Sequence, residues 1–198
     1  MGPRALLLLT TVFVTTVGFS CEEGTGPAGS FVVTGHIQNR TNTPIPAGAR
    51  LLAVWGVTAG SPDYSYVFGE GTIHRSTGSF YIQFDQPPPL VALNNDALGV
   101  AFLVVTTDQS LQVGDSVTSS SQTTGIIGVT AQYAVIFVQN RGTLPSTHWA
   151  NTFADGYSVG AGVKALPGEV FDKFVPTSRS SPVLLIDDLG NVEIVNWT

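Results

Sequence analysis

Phe31-Val32-Val33-Thr34-Gly35-His36-Ile37-Gln38 alternates with a period of two. A strand sends successive side chains to opposite faces. Phe31, Val33, Gly35 and Ile37 therefore share one face, and Val32, Thr34, His36 and Gln38 the other. The first face is the more apolar, which puts His36 on the polar side. Period two rather than 3.6 predicts a half-buried β-strand.

The same reading extends along the chain. Thr41-Asn42-Thr43-Pro44-Ile45-Pro46-Ala47-Gly48 is a turn, because proline and glycine stop either neighbour from extending. Arg50 to Thr58 is the next strand, with Leu51, Ala53, Trp55 and Val57 on one face. Gly60-Ser61-Pro62-Asp63 opens a loop, and Tyr64 to Phe68 alternates aromatic and small residues. Ser76-Thr77-Gly78 turns into Ser79 to Phe84, where Phe80, Ile82 and Phe84 align. Pro87-Pro88-Pro89 then stops regular pairing.

Gly99 to Thr106 is nearly continuous in Val, Ala, Phe and Leu, as a strand buried on both faces requires. Thr107 to Ser121 reads as a polar loop, and Gly125 to Val129 and Tyr133 to Val138 as strands. Leu144 to Phe153 is the place for a short helix or an irregular excursion. Gly156 to Val163, Val183 to Ile186 and Val192 to Trp197 complete the set, with Asp187 to Asn191 as a tight hairpin between the last two. About ten short strands without a strong helix predict an all-β fold, an antiparallel β-sandwich spanning residues 31–198 as one domain.

Composition fits this reading. Charged residues are 11% of the 198, well below the roughly 25% of a typical soluble protein, and glycines number 22. Acidic side chains outnumber basic ones, for a formal net charge of −6. That balance argues against nucleic acid as a partner and against electrostatic binding to anionic lipid. With a single cysteine, Cys21, no intramolecular disulfide can form and no cysteine metal cluster can assemble.

The amino terminus reads as a secretory signal. Arg4 supplies a positive n-region, and Ala5 to Val17 is apolar for 13 residues. A helix of that length rises about 20 Å, short of the roughly 30 Å hydrocarbon core, so residues 1–20 suit a cleaved signal. Gly18-Phe19-Ser20 precedes Cys21, and Glu22-Glu23 with a Gly/Pro/Ser spacer follows it. Residues 21–30 contain almost nothing apolar to bury and read as a tether.

The segment resembles a bacterial lipoprotein signal ending in the modified cysteine. Ser20 suits the small-residue position before the cut, while Gly18 and Phe19 depart from the usual lipobox. The resemblance implies cleavage before Cys21, a diacylglyceryl group on its sulfur and a fatty acyl chain such as palmitate for its amine. It implies membrane attachment through lipid in the bacterial cell envelope. Because Glu22 rather than aspartate follows the cysteine, it favours the outer membrane. Two or more acyl chains hold a protein stably without a polybasic patch, and none is present.

A second resemblance covers about a quarter of the chain. Val33-Thr34-Gly35-His36-Ile37, Thr43 to Arg50 and Thr77-Gly78-Ser79-Phe80-Tyr81-Ile82 look like the carboxypeptidase-regulatory-like module, a small prealbumin-type sandwich. That resemblance implies a non-catalytic adhesion, binding or spacer role. The residues themselves assign Gly78 a positive φ in the turn and point Phe80 inward.

Candidate chemistry is sparse. His36, His74 and His148 are far apart in sequence, with no metal-ligand spacing. Serines are many, but none marks a strand-to-helix turn. Asp108 and Asp115 bracket Gln109 to Gly114, like a degraded calcium loop in which Leu111 and Val113 fill positions that want oxygen ligands. Asp187 and Asp188 form a second acidic pair in a turn. Tyr64, Tyr66 and Trp149 are the aromatic candidates for holding a glycan or protein partner, against the alternative of core packing. The expectation is a lipid-anchored, non-catalytic binding or structural module without a required cofactor. Two alternatives are an envelope hydrolase on glycan or peptide, with no residues assigned but favoured by any cleft that gathers His148, Asp155 and a serine, and a calcium-stabilised adhesion module using Asp108 and Asp115.

Overall fold

Alternation along the chain becomes pairing in space. The structure is a computed structural model. It describes residues 30–57, 64–118, 125–130, 132–163, 173–177 and 183–186. The expected signal segment, Cys21, the expected Asp187 to Asn191 hairpin and the expected Val192 to Trp197 strand lie outside the described residues.

Eleven strands form among the described residues: β1 Phe31–Asn39, β2 Arg50–Val57, β3 Tyr64–His74, β4 Ser79–Phe84, β5 Leu98–Thr106, β6 Ser116–Thr118, β7 Ile126–Thr130, β8 Tyr133–Val138, β9 Gly156–Val163, β10 Lys173–Pro176 and β11 Val183–Ile186. Short 3₁₀ turns occupy Leu90–Ala92, Arg141–Thr143 and Trp149–Thr152. The fold is all-β, and its pairs are antiparallel except β1 with β11.

The pairs join into one curled sheet, ordered β10-β9-β8-β5-β2-β3-β4-β1-β11-β7, with β6 beside β3. A further pairing of β7 with β5 closes seven of these strands into a ring. The sandwich expected from strand count is thus a continuous sheet bent back on itself. Closing the ring removes the exposed edges that its strands would have in two open sheets.

β5 is the junction. Its first half, Leu98 to Ala101, pairs with β8, and its second, Val104 to Thr106, pairs with β7 along the same edge. Leu103 sits at the fork, where neither strand supplies a ladder partner. Thr130, 3% exposed, meets it instead. The Leu103 amide donates to Thr130 Oγ1 at 3.1 Å, and the same hydroxyl lies 3.4 Å from the Leu103 carbonyl. A buried peptide group left unpaired would be costly, so one hydroxyl stands in for a strand.

The main core fills the ring. On β1, Val33 and Ile37 are buried while Val32, Thr34, His36 and Gln38 are exposed, as the alternation requires. Phe80, Ile82 and Phe84 on β4 join them with Leu51, Ala53 and Trp55 on β2. β2 is buried on its other face too. Leu52 and Val54 pack with Val67 and Val104 into a second cluster beneath Leu111. A third cluster lies on the outer side of β8 and β9, where Phe102, Ile136, Phe153 and Phe174 meet.

Three elements depart from expectation. β3 runs on to His74 through what reads as loop, because Gly69 adopts φ +122 at a bulge that lets pairing with β2 resume. β6 lies inside the expected Thr107 to Ser121 loop, and β10 was unforeseen. The turn before β4 follows expectation, with Gly78 at φ +72 and its carbonyl accepting from Ile37 N–H at 2.6 Å.

Candidate functional site

The acidic loop between β5 and β6 is organised by its own backbone and by one cation. Asp108 accepts from the Ser110 amide at 2.8 Å and its hydroxyl at 2.6 Å, and these bonds hold its carboxyl below the usual aspartate range. Asp115 accepts from the Gln112 amide at 2.7 Å. Arg50, entering from the start of β2, donates to the Leu111 carbonyl at 2.6 Å and grips Glu70 with two bonds of 2.8 Å. The hydrogen bond from Arg50 pulls the Glu70 carboxyl down and pushes the guanidinium up. A protein cation therefore serves the centre of this loop. Leu111 turns into the apolar cluster beneath, and Val113 is exposed.

The aromatic candidates separate. Tyr64 opens β3 opposite Val57 and Thr118. Tyr66 and Phe68 lie partly buried against the main core. Trp149 belongs to the outer cluster, edge-on to Phe153 at 5.8 Å and 5.6 Å from Phe174. Tyr66 and Trp149 thus pack on different clusters.

The histidines serve local structure or stand on the surface. His148 Nδ1 accepts from the Ala150 amide at 3.1 Å and caps the Trp149–Thr152 turn. Register brings His36 and His74 to either side of Ser79 on the outer face of β1, β4 and β3, a juxtaposition that sequence spacing hides. Among the described residues no three His, Cys, Asp or Glu side chains converge on a metal position.

One motif escaped the sequence reading. Gly156-Tyr157-Ser158-Val159-Gly160 spells Gly-x-Ser-x-Gly, the pattern of a nucleophile elbow. An elbow exposes its serine at a sharp turn from strand into helix. Here all five residues lie within β9, with Ser158 opposite Ile136. Its Oγ is buried and has no hydrogen-bond partner. Asp155, the nearest carboxylate in sequence, accepts from the Arg141 amide at 2.8 Å. Among the described residues no base reaches the serine, so the spelling lacks the geometry that makes it chemical.

Tyr157, beside that serine, is the most connected aromatic. Its ring stacks on Phe84 at 5.0 Å and Phe31 at 5.5 Å, tilts against Phe137 at 4.7 Å and lies 6.2 Å from Trp55. Its hydroxyl donates to the Gln86 carbonyl at 2.7 Å. Burial pushes its pKa well above the usual phenol value, so it stays neutral. This contact fixes one end of the molecule, where β1 begins, β4 ends and the Pro87-Pro88-Pro89 segment leads into the Leu90–Ala92 turn.

No family model, curated protein or solved structure matches this chain. Among the described residues no helix is long and apolar enough to cross a membrane.

Proposed function

We propose that this protein is a bacterial cell-envelope lipoprotein, held to a membrane by lipid on Cys21 and presenting a non-catalytic β domain as a binding or structural module. The observation that carries the reading is the position of the chain's single cysteine. It stands where an apolar segment ends and a polar spacer begins, ten residues before β1 starts at Phe31. The described polar groups support the non-catalytic part. Asp115, Asp155 and His148 spend their hydrogen bonds on backbone amides, Asp108 on the Ser110 amide and hydroxyl, and Glu70 on Arg50. Such groups hold loops rather than act on a substrate. The resemblance of residues 33–84 to carboxypeptidase-regulatory-like modules points the same way, toward a protein or glycan partner.

Mass spectrometry of the mature amino terminus tests the anchor. The expected result is a chain beginning at Cys21 with diacylglyceryl on sulfur and an acyl chain on the amine. A free thiol at Cys21, or a start beyond it, overturns the reading.

A further inference from the structure

Strand polarity gives the molecule two ends. Phe31 pairs with Phe84, Gly56 with Val100, Leu98 with Val138 and Val138 with Gly156. The start of β1, the end of β4, the start of β5, the end of β8 and the start of β9 therefore share one end. The chain from Cys21 arrives there. Ten peptide units reach at most about 35 Å, which keeps this end close to the attachment point. The opposite end, with the turn before Ser79, lies the length of β1 farther away, about 30 Å.

The near end is also where exposed apolar side chains gather. Six large ones are exposed among the described residues, and three of them, Val32 at 47%, Leu90 at 58% and Val91 at 42%, belong to this end. Leu90 and Val91 are adjacent on a turn that is firmly seated. Ala92 and Leu93 beneath them are buried, and the Leu93 amide returns to the Leu90 carbonyl at 3.0 Å. Just before the turn, Tyr157 grips the Gln86 carbonyl. Among the described residues the charged groups here are Asp85, Asp96 and Asp155 against Arg141, an acidic balance that gives no attraction to anionic lipid.

We propose that this end faces the bilayer and that Leu90 and Val91 insert into the lipid–water interface of a zwitterionic membrane. The inference rests on the lipid anchor at Cys21. A short link raises the effective concentration of a second contact to the millimolar range, so two apolar side chains add to a hold that they could not create alone.

The test uses the full chain, carrying its lipid, in phosphatidylcholine vesicles doped with a nitroxide-labelled lipid. Because lipidation consumes the Cys21 sulfur, an introduced cysteine is the single thiol. A fluorophore is placed through Leu90→Cys, separately through Val91→Cys, and at the far end through Ser76→Cys. Quenching at 90 and 91 at least threefold greater than at 76 is the expected result. Equal quenching at all three positions in vesicle-bound, lipidated protein overturns the orientation and leaves the anchor standing. A chain that fails to float with vesicles and retains a free Cys21 thiol overturns both.

Discussion

The two halves of β5 present the same apolar character and end in different closures. Toward Thr106 the gap between β5 and β1 is filled by backbone: β7 pairs with β5, β11 with β7, and β1 with β11. Toward Leu98 the same edge carries β8 and β9 instead, and β9 reaches β1 through side chains, with Tyr157 stacked on Phe31 and Phe84. One end of the molecule is closed by ladder hydrogen bonds and the other by aromatic packing. Hydrogen-bonded closure constrains every residue in the register, whereas aromatic closure concentrates the constraint on one ring. The two closures should therefore respond differently to single substitutions.

Tyr157→Ala is the most direct way to break the side-chain closure, and it carries the largest expected effect. Truncating a packed aromatic costs about 3–5 kcal/mol, and Tyr157 gives up four ring contacts at once. Tyr157→Phe keeps the ring and loses the bond to Gln86, at about 1 kcal/mol. Urea unfolding followed by fluorescence measures both. An alanine variant as stable as the phenylalanine variant would show that the stack does not close this end.

Two buried hydroxyls, one at the fork and one on β9, have opposite expected outcomes. Thr130→Val keeps the shape and strands the Leu103 peptide groups, for a loss of about 1–3 kcal/mol. Ser158 Oγ, on the β9 side, satisfies nothing, so Ser158→Ala should be neutral or slightly stabilising. Amide exchange at Leu103 should speed up in the first variant and stay unchanged in the second. Equal losses from both would mean that the fork does not depend on the Thr130 hydroxyl.

Legibility in the sequence divides along similar lines. β4, β8 and β9 keep the limits that alternation and apolar runs assign them, and β1 runs one residue further, to Asn39, because burial on one or both faces is written residue by residue. The far part of β3 was hidden by Gly69 and Gly71, which look like turn residues until the bulge and the β2 register are known. β6 and β10 are too short and mixed to announce themselves. The fork joins Leu103 to Thr130 across 27 positions, the parallel β11 and the meeting of Tyr157 with Phe31 join residues more than a hundred positions apart, and no local pattern encodes them. For the same reason Tyr66 and Trp149 were visible as aromatics but not as members of separate clusters, whereas the Gly156 to Gly160 spelling and the strand that holds it are both legible in the sequence.

The covers over the outer clusters extend the contrast and carry the smallest expected effect. Outside the ring, the loop over Leu52, Val54 and Val67 is held by charge, with Arg50 bridging Glu70 and the Leu111 carbonyl. Outside β8 and β9, the Trp149–Thr152 turn is held by aromatic contacts and a histidine cap. Arg50 is 15% exposed but Glu70 is 42% exposed, so solvent screens the pair and Glu70→Gln should cost less than about 1 kcal/mol. The pH dependence has a definite sign. The folded-state pKa of Glu70 is lowered from 4.5, so its contribution is complete above that value and is lost as pH falls through the lower, folded-state value. Asp108, lowered by its bonds to Ser110, acts in the same direction. Acidification should therefore speed amide exchange in the Thr107 to Asp115 loop, relative to the intrinsic rate. Glu70→Gln should remove most of that acid sensitivity. If Glu70→Gln leaves the acid sensitivity of the loop unchanged, the loop is held by its apolar contact through Leu111 rather than by the Arg50 bridge.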